Sequence, residues 1–355
     1  MAKIRILFLA PVDAGNINAQ SLNTREIALR LDAERFECTL LYLDSPDRRL
    51  VGRSNLRLVK LPGHGRTWRV LREMFGRHQI IAYMTPSPAT YLFLQTPRRF
   101  RGKTRTVLHA EAPMAQTGKQ GWLARVLSHG VLYDCDDYTG ITPYVARDVQ
   151  QNLGHEAGYI LPVGVDVKRF QPALPRPGSM VTVLFAGTLI ERKGPQLVLE
   201  AATRFPQARF RLIGPGRDGY DQVLRRKIAE MKLANVVLEG PQPQEGIVAA
   251  MGESDIFLLP SRLEGLPKVT LEAAASGLPC IVFRDYETPS VVDGVTGFQV
   301  ATVEEMTERL GQLIADFHLR CALGEAARRH AASFDWDQVA RQWQNAYLSI
   351  AASAS

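Results

Sequence analysis

The sequence predicts an α/β protein built from two doubly wound domains. Short apolar runs alternate with longer amphipathic stretches, and this alternation occurs twice along the 355 residues. Strands that are apolar on both faces and separated by helices are typical of parallel sheets covered on both sides. The chain also exceeds the ~250–300 residues that one hydrophobic core usually supports. Because open sheets of this type bind ligands at the carboxyl ends of their strands, we expect two facing domains with a ligand cleft between them.

The first half of the chain contains six predicted strands. In order they are KIRILFLA, FECTLLYL, LRLVKL, IIAYM, TRTVLHA and YTGIT. The segment SLNTREIALRLDA, between the first two, has the apolar spacing of a helix. The opening run resembles a signal peptide, but Pro11 and Asp13 interrupt it after a few apolar residues, so a buried strand is the better prediction.

The second half repeats the pattern with five predicted strands. They are VTVLFAG, ARFRLIG, NVVLEG, IFLLP and PCIVF, and the stretch PQLVLEAATRF between the first two has helical spacing. The segment 161–180 carries four prolines and no helical period, so we interpret it as an interdomain linker. We expect a first domain over 1–165, a second over 166–334, and a helix over 335–355 that crosses back to the first domain.

Composition excludes several classes of protein. A hydrophobic content of 46% and a charged content of 22% are ordinary for a globular chain. Four cysteines without a C-x-x-C spacing indicate neither a zinc site nor a disulfide framework. No apolar run reaches the ~18–20 residues of a membrane span, so we expect a cytoplasmic protein.

The positive charge is concentrated in the first half. Residues 1–165 hold 22 Lys and Arg against 14 Asp and Glu, whereas the remainder holds 21 against 22. The excess lies in RTWRVLREMFGRH (66–78) and RRFRGKTR (98–105). Such segments can bind anionic lipid, a phosphorylated substrate or nucleic acid, or they can form a solvated basic surface without a partner. The absence of a nucleic-acid motif disfavours nucleic acid. With Trp68, Leu71, Met74 and Phe75 interleaved, we expect this half to dock peripherally on an anionic membrane.

The stretch SRLEGLPKVTLEAAASGLP, residues 261–279, is the main candidate site. It reads as a turn carrying Glu264 and then a helix carrying Glu272, with Pro267 at the first helical position. The N–H groups of Lys268 and Val269 would then form an anion site at the helix start. Eight helical residues span ~12 Å. That span matches a nucleotide sugar, with its ribose and hexose at the two ends and its diphosphate between.

This stretch and its surroundings resemble glycosyltransferase family 4, the group 1 glycosyltransferases. EGLPKVTLEAAASGLPCIV resembles the E-x7-E signature of that family, and VLFAGTLIERKG resembles its phosphate-binding turn. RLIGPG, VVLEGPQPQEG and PSVVDGVTGFQV are similar to further family segments. The resemblance implies the GT-B fold, in which two facing Rossmann-like domains enclose an interdomain cleft.

The resemblance also implies a role for particular residues. Glu272 would bond the donor ribose, Glu264 would contact the donor sugar near the reacting carbon, and Lys193 would bind the diphosphate. His109 would touch a sugar hydroxyl, so the candidate catalytic residues are Glu264, His109 and Lys193. The candidate donor-binding residues are Gly15, Gly187, Thr188, Arg192, Lys193, Gly214, Pro241, Leu266, Pro267, Lys268, Val269 and Glu272. The chain departs from the family pattern at Thr188, where an arginine is common, at AGN (14–16), where a Gly-Gly pair is usual, and at Ser290, where a glutamate is common.

The function implied is retaining transfer of a hexose-type sugar from a UDP- or GDP-sugar donor. The acceptor would be a saccharide or a lipid-linked saccharide, in surface polysaccharide or glycolipid synthesis. The resemblance implies no cofactor and no metal, although Asp134, Asp136 and Asp137 leave metal binding as an alternative. Two rival functions keep the fold: a sugar-nucleotide epimerase, and a non-catalytic subunit that binds sugar nucleotide for a partner.

Overall fold

A computed structural model describes residues 3–14, 19–113, 134–172 and 178–353. The chain divides by its internal contacts into two compact units. Unit 1 comprises Met1–Val163 together with Trp336–Ser355, and unit 2 comprises Gly164–Asp335.

Unit 1 is built on a seven-stranded sheet in the order β3-β2-β1-β4-β5-β6-β7, with all neighbouring strands parallel. Its strands are β1 Ile4–Phe8, β2 Phe36–Tyr42, β3 Leu56–Lys60, β4 Ile80–Tyr83, β5 Arg105–Ala110, β6 Asp137–Gly140 and β7 Tyr159–Ile160. Its described helices are α1 Ala19–Arg30, α2 Arg66–Met74, α3 Pro88–Gln95, α4 Arg98–Arg101, α5 Pro143–Leu153 and α12 Trp336–Ala352.

The core of unit 1 packs the sheet against α2 and α3. The buried side chains of this cluster are Leu7, Leu41, Val59, Leu61, Met74, Ile81, Ala89 and Phe93. Helix α3 starts with Pro88 after Ser87, whose hydroxyl accepts a hydrogen bond from the backbone N–H of Thr90. Such a cap satisfies donors that the first helical turn leaves unpaired.

The last helix, α12, packs within unit 1 along a buried stripe at helical spacing. Its buried residues are Trp336, Val339, Ala340, Trp343, Ala346, Tyr347 and Ile350. The Trp343 indole N–H donates to the carbonyl of Pro162 at 3.0 Å. Asp337 pairs with Arg30 of α1, with 2.7 Å between Oδ1 and Nε.

Unit 2 is built on a six-stranded sheet in the order β10-β9-β8-β11-β12-β13, again with all neighbours parallel. Its strands are β8 Thr182–Ala186, β9 Arg209–Ile213, β10 Val236–Gly240, β11 Ile256–Leu259, β12 Cys280–Phe283 and β13 Gly297–Val300. Its helices are α6 Pro195–Arg204, α7 Tyr220–Glu230, α8 Gln244–Gly252, α9 Lys268–Ala275, α10 Val303–Ala315 and α11 Phe317–Ala331.

The two parallel sheets confirm the predicted fold class. Strands β8, β11 and β12 are buried along their whole length, as expected for strands covered on both faces. Strands β7 and β13, the last strands at one edge of each sheet, were not predicted from the sequence. Strand β7 has only two residues, and β13, GFQV, begins with glycine and contains glutamine, so neither gives a sustained apolar run.

Candidate active site

The candidate site of unit 2 lies at the carboxyl edge of its sheet, where two strands end in glycine. Gly187 follows β8 and Gly214 follows the neighbouring β9. Gly214 has a φ of +148°, and a Cβ atom there would lie 1.8 Å from the Gly187 carbonyl oxygen. The two backbones can therefore approach this closely only without a side chain at Gly214. Thr188 follows on this edge and is partly buried, and Pro241, which follows β10, is exposed.

Lys193 lies in a single 3₁₀ turn, Glu191–Lys193, between β8 and α6. The turn ends at Gly194, whose φ is +72° and whose Cβ position is 2.3 Å from the Pro260 carbonyl oxygen. Only glycine fits such a contact, and it lets this turn pack directly on the end of β11. The packing brings Lys193 next to the segment that follows β11.

That segment carries Glu264, whose carboxylate has two cationic neighbours. Its Oε1 lies 3.2 Å from Lys193 Nζ and 3.4 Å from Arg192 Nη1. The same oxygen accepts a hydrogen bond of 2.9 Å from the Ser261 hydroxyl. Arg192 also donates to the carbonyl of Leu263. The Glu264 side chain is 12% exposed, so this charge cluster is largely withdrawn from solvent.

Helix α9 follows and carries the second carboxylate, Glu272. It begins at Lys268, one residue later than predicted, because Pro267 has a ψ of 110° and precedes the helix as its cap residue. No side chain of the described residues caps this helix, so its first N–H groups, including those of Lys268 and Val269, remain available to an anion. Leu266 and Pro267 are buried beneath this turn.

Glu272 is 4% exposed and also has polar partners. Its Oε1 lies 3.1 Å from Lys268 Nζ and 3.4 Å from Nε2 of Gln244, the first residue of α8. Gln244 lies after β10 and Lys193 lies after β8, so the two residues are at the same edge of the sheet. Glu272 contacts Gln244, and Glu264 contacts Lys193. Both carboxylates therefore belong to the carboxyl edge of this sheet.

The strand order explains why this edge can bind a ligand. In the lateral order of the sheet, β9 and β10 lie on one side of β8, and β11, β12 and β13 lie on its other side. The order in which strands are added therefore reverses between β8 and β11, and ligands bind at such switch points because the adjoining loops diverge there. Lys193 follows β8 and Glu264 follows β11, so the pair lies on either side of the switch point.

Ser290, one of the departures from the family pattern, has a packing role in this structure. Its hydroxyl lies 2.6 Å from the Thr270 hydroxyl and 2.8 Å from the Thr288 hydroxyl, and it is fully buried. Thr270 also donates to the carbonyl of Pro267 at 2.6 Å. This chain of hydroxyls holds the start of α9 in place on its buried side.

His109, the candidate from unit 1, lies near the end of β5 and is 2% exposed. Its Nδ1 lies 2.7 Å from the Thr139 hydroxyl and its Nε2 lies 2.9 Å from the Tyr347 hydroxyl. Burial lowers the pKa of His109 to about 3, so the ring is neutral at physiological pH. Both ring nitrogens thus bond to protein groups, and the predicted contact with a sugar stays a prediction. Gly15, also predicted in this half, lies outside the described residues.

Glu111, two residues after His109, is a candidate that the sequence analysis missed. Its carboxylate accepts a hydrogen bond from the Asn23 side-chain amide of α1. Burial raises the pKa of Glu111 to about 7, and the Asn23 hydrogen bond opposes that shift. The signal was available, because Glu111 follows β5 directly at the carboxyl edge of the sheet, where ligand-binding residues are expected.

The aspartates considered for metal binding have protein cations as neighbours. Asp136 pairs with Arg98 and accepts hydrogen bonds from Thr106. Asp137 pairs with Arg105, with 2.7 Å between Oδ2 and Nε. Within residues 3–14, 19–113, 134–172 and 178–353, no three His, Cys, Asp or Glu side chains group as a metal site.

Comparison with known proteins places this site in a family. Residues 166–330 match the model of the family described as glycosyl transferases group 1. This match identifies residues 166–330 as a group 1 glycosyltransferase domain. The matched residues lie in unit 2 and include both carboxylates and both cations of the candidate site.

Two curated relatives extend the similarity of this glycosyltransferase into unit 1. A Corynebacterium glutamicum GDP-mannose-dependent monoacylated α-(1-6)-phosphatidylinositol monomannoside mannosyltransferase is 29% identical over 310 residues, covering 74% of this chain and 81% of the relative. A Mycolicibacterium smegmatis GDP-mannose-dependent α-(1-6)-phosphatidylinositol monomannoside mannosyltransferase is 28% identical over 303 residues, covering 77% and 76%.

Solved structures show the same fold. A sucrose-phosphate synthase from Thermosynechococcus elongatus superposes with a TM-score of 0.82 at 16% identity, covering 99% of this chain and 100% of the other. Anabaena HepE in complex with UDP and glucose gives 0.78 at 17% identity, covering 98% and 100%. These structures confirm the predicted GT-B fold class. The family match and the curated relatives confirm the predicted glycosyltransferase activity.

The basic segments of the glycosyltransferase present fewer apolar side chains than predicted. Trp68 is 70% exposed and Phe75 is 45% exposed, but Met74 is 1% exposed in the core and Leu71 packs partly against it. The side of α2 that carries Leu71 and Met74 packs toward the sheet and α3, so only the side that carries Trp68 can contact a partner. Phe100, in the second basic segment, is 63% exposed and was not predicted. In the part of the chain that the structure describes, no helix has the length and apolar character needed to cross a bilayer.

Proposed function

We propose that this glycosyltransferase moves a hexosyl group from a nucleotide-diphosphate sugar to a hydroxyl of a saccharide or glycolipid acceptor, with retention at the anomeric carbon. The observation that carries the proposal is the Glu264 cluster. A largely buried carboxylate with Lys193 and Arg192 lies at the switch point of the sheet, beside a helix start without a side-chain cap from the part of the chain that the structure describes.

The arrangement supports a definite placement of the donor. The diphosphate would lie between Lys193 and the first N–H groups of α9, because both supply positive charge to phosphate oxygens. Glu272 would accept hydrogen bonds from the ribose hydroxyls, and Glu264 would accept them from the hexose. Their present partners, Lys268 and Lys193, would then divide their interactions between carboxylate and donor.

The chemistry needs stabilisation of the leaving group more than a nucleophile. As the bond between the anomeric carbon and the phosphate oxygen breaks, negative charge grows on the diphosphate. The acceptor oxygen forms its bond on the same face, and its proton passes to the departing phosphate oxygen. Each preorganised donor aimed at that oxygen contributes about 2.7–4 kcal/mol to the lowering of the barrier.

The relatives indicate which substrates to try first. Two are named GDP-mannose-dependent mannosyltransferases acting on phosphatidylinositol monomannoside, and another is named D-inositol 3-phosphate glycosyltransferase. A structural relative was solved with UDP-glucose. We propose GDP-mannose as the first donor, UDP-glucose as the second, and an inositol-containing glycolipid as the first acceptor.

The deciding experiment incubates the chain with each donor, with and without acceptor, and follows both nucleotide release and product. Acceptor-dependent release of nucleoside diphosphate with an α-linked product, observed by NMR from an α-configured donor, is the expected result. Conversion of the donor sugar without acceptor would instead favour an epimerase. Donor binding without any turnover would favour a non-catalytic subunit.

We further propose that the exposed aromatic and basic residues of α2 and α4 contact an anionic membrane. Each Lys or Arg near such a surface contributes ~1 kcal/mol. Trp68→Ser should weaken flotation with vesicles containing anionic phospholipid, whereas Met180→Ser, a change at an exposed methionine of unit 2, should not. Equal binding of the wild-type chain to neutral vesicles would contradict this proposal.

A further inference from the structure

A second polar cluster occupies the switch point of the unit 1 sheet. In this sheet β1, β2 and β3 run to one side, and β4 to β7 run to the other, so the direction changes between β1 and β4. Gln20 of α1, the helix after β1, donates to the hydroxyl of Thr85, just after β4, at 2.7 Å. This hydrogen bond therefore joins the two sides of the crevice where open α/β sheets bind ligands.

Helix α1 turns polar side chains inward at this crevice. Asn23 and Thr24 are each 1% exposed. The Asn23 amide group donates to Glu111, yet its carbonyl oxygen has no hydrogen-bond partner among the described residues, and neither has the Thr24 hydroxyl. Buried polar groups are nearly always paired, so an acceptor left vacant beside Glu111 indicates that a ligand supplies the missing donor.

Within the described parts of the chain, the partner recorded for Glu111 is the neutral Asn23 amide, not an arginine or lysine. The buried carboxylates Glu26 and Glu73 of unit 1, by contrast, pair with arginines. Burial raises the pKa of Glu111 to about 7; Asn23 opposes the shift, and no charged side chain of the described residues contributes to it. The group can therefore be ionised or protonated near neutral pH, and no cation among the described residues pairs with it.

We propose that Asn23 and Glu111 bind two neighbouring hydroxyl groups of the acceptor, which is a neutral polyol such as a sugar or a cyclitol. One hydroxyl would donate to the vacant Asn23 oxygen and the other to the Glu111 carboxylate. A phosphate would be repelled by the ionised carboxylate. This inference rests on the proposed function and identifies the part of unit 1 that selects its acceptor.

The test measures polyol binding separately from nucleotide binding. Methyl α-D-mannoside and myo-inositol serve as probes in ligand-observed NMR titrations of the full chain, and GDP and UDP are titrated by calorimetry in parallel. We expect Glu111→Gln, which keeps the shape of the side chain, to weaken binding of one of these polyols about tenfold, as for loss of one charge-assisted hydrogen bond. Nucleotide affinity should remain within twofold of the wild-type value.

Two controls make the result specific. Glu34→Gln changes an exposed carboxylate of the same unit and should leave both kinds of binding unchanged. Polyol affinity of the wild-type chain should rise with pH through about 7, since the carboxylate is the better acceptor, and this dependence should vanish in Glu111→Gln.

The outcomes separate this inference from the proposed function. If a nucleotide binds but neither polyol binds, or if Glu111→Gln binds the polyols as well as the wild-type chain, the acceptor site is not at Asn23 and Glu111. If a polyol binds with the expected dependence but neither nucleotide binds, the proposed donor chemistry fails while this site stands.

Discussion

Replacing Lys193 by alanine tests the proposed chemistry at the residue nearest the leaving group. Lys193 is 18% exposed and lies 3.2 Å from Glu264, so its ammonium group acts in a partly dehydrated site. Loss of one such preorganised donor should lower turnover by roughly 10²–10³, equivalent to about 2.7–4 kcal/mol of transition-state stabilisation. The initial rate of nucleoside diphosphate release at saturating donor and acceptor measures it.

The same substitution should change the folding stability far less. Glu264 would still interact with Arg192 and the Ser261 hydroxyl, so the loss should be about 1 kcal/mol in urea denaturation. Lys227→Ala, at an exposed lysine of α7, is the matched control and should leave both quantities unchanged. Turnover of Lys193→Ala within threefold of the wild-type rate would refute the role of Lys193 in charge stabilisation.

Three further predictions concern other parts of the two units. Glu272→Gln should weaken nucleotide binding about tenfold and abolish discrimination between a nucleoside diphosphate and its 2′-deoxy analogue in calorimetry; retained discrimination would contradict ribose binding by Glu272. Gly214→Ala should lower the free energy of unfolding by about 3 kcal/mol, since its Cβ would lie 1.8 Å from the Gly187 carbonyl oxygen, whereas Gly219→Ala, in open space at a φ of +75°, should cost about 1 kcal/mol. His109 has its pKa lowered from 6.5 to about 3 by burial, so the unfolded chain takes up the proton first and stability should fall as pH drops below about 6.5, by up to ~1.4 kcal/mol per unit; His109→Gln should reduce this pH dependence, and an unchanged dependence would argue against a neutral buried ring.

The parallel sheets could be predicted because their inner strands are apolar on both faces. The run VTVLFAG contains β8 and IFLLP contains β11, and no alternation of polar residues interrupts either one. Strand β13, with the sequence GFQV, could not be found in this way. It lies at a sheet edge, and Gly297, at a φ of +153°, is required by a close approach to the Cys280 carbonyl that only the folded chain shows.

The two carboxylates of unit 2 could be predicted from local sequence, but their neighbours depend on distant contacts. Lys193 reaches Glu264 because Gly194 packs on Pro260, a contact between residues far apart in the chain. Likewise, one partner of His109 is Tyr347 of the last helix, 238 residues away. Met74 is buried because α2 packs against α3. The basic composition of the segment gave no indication of this contact.

A structure of the chain with bound GDP or UDP would examine the donor site most directly. Its diphosphate oxygens should lie within about 2.7–3.2 Å of Lys193 Nζ and of a backbone N–H at the start of α9, with the ribose hydroxyls on Glu272. A nucleotide seated away from β8, β11 and α9 would contradict the account.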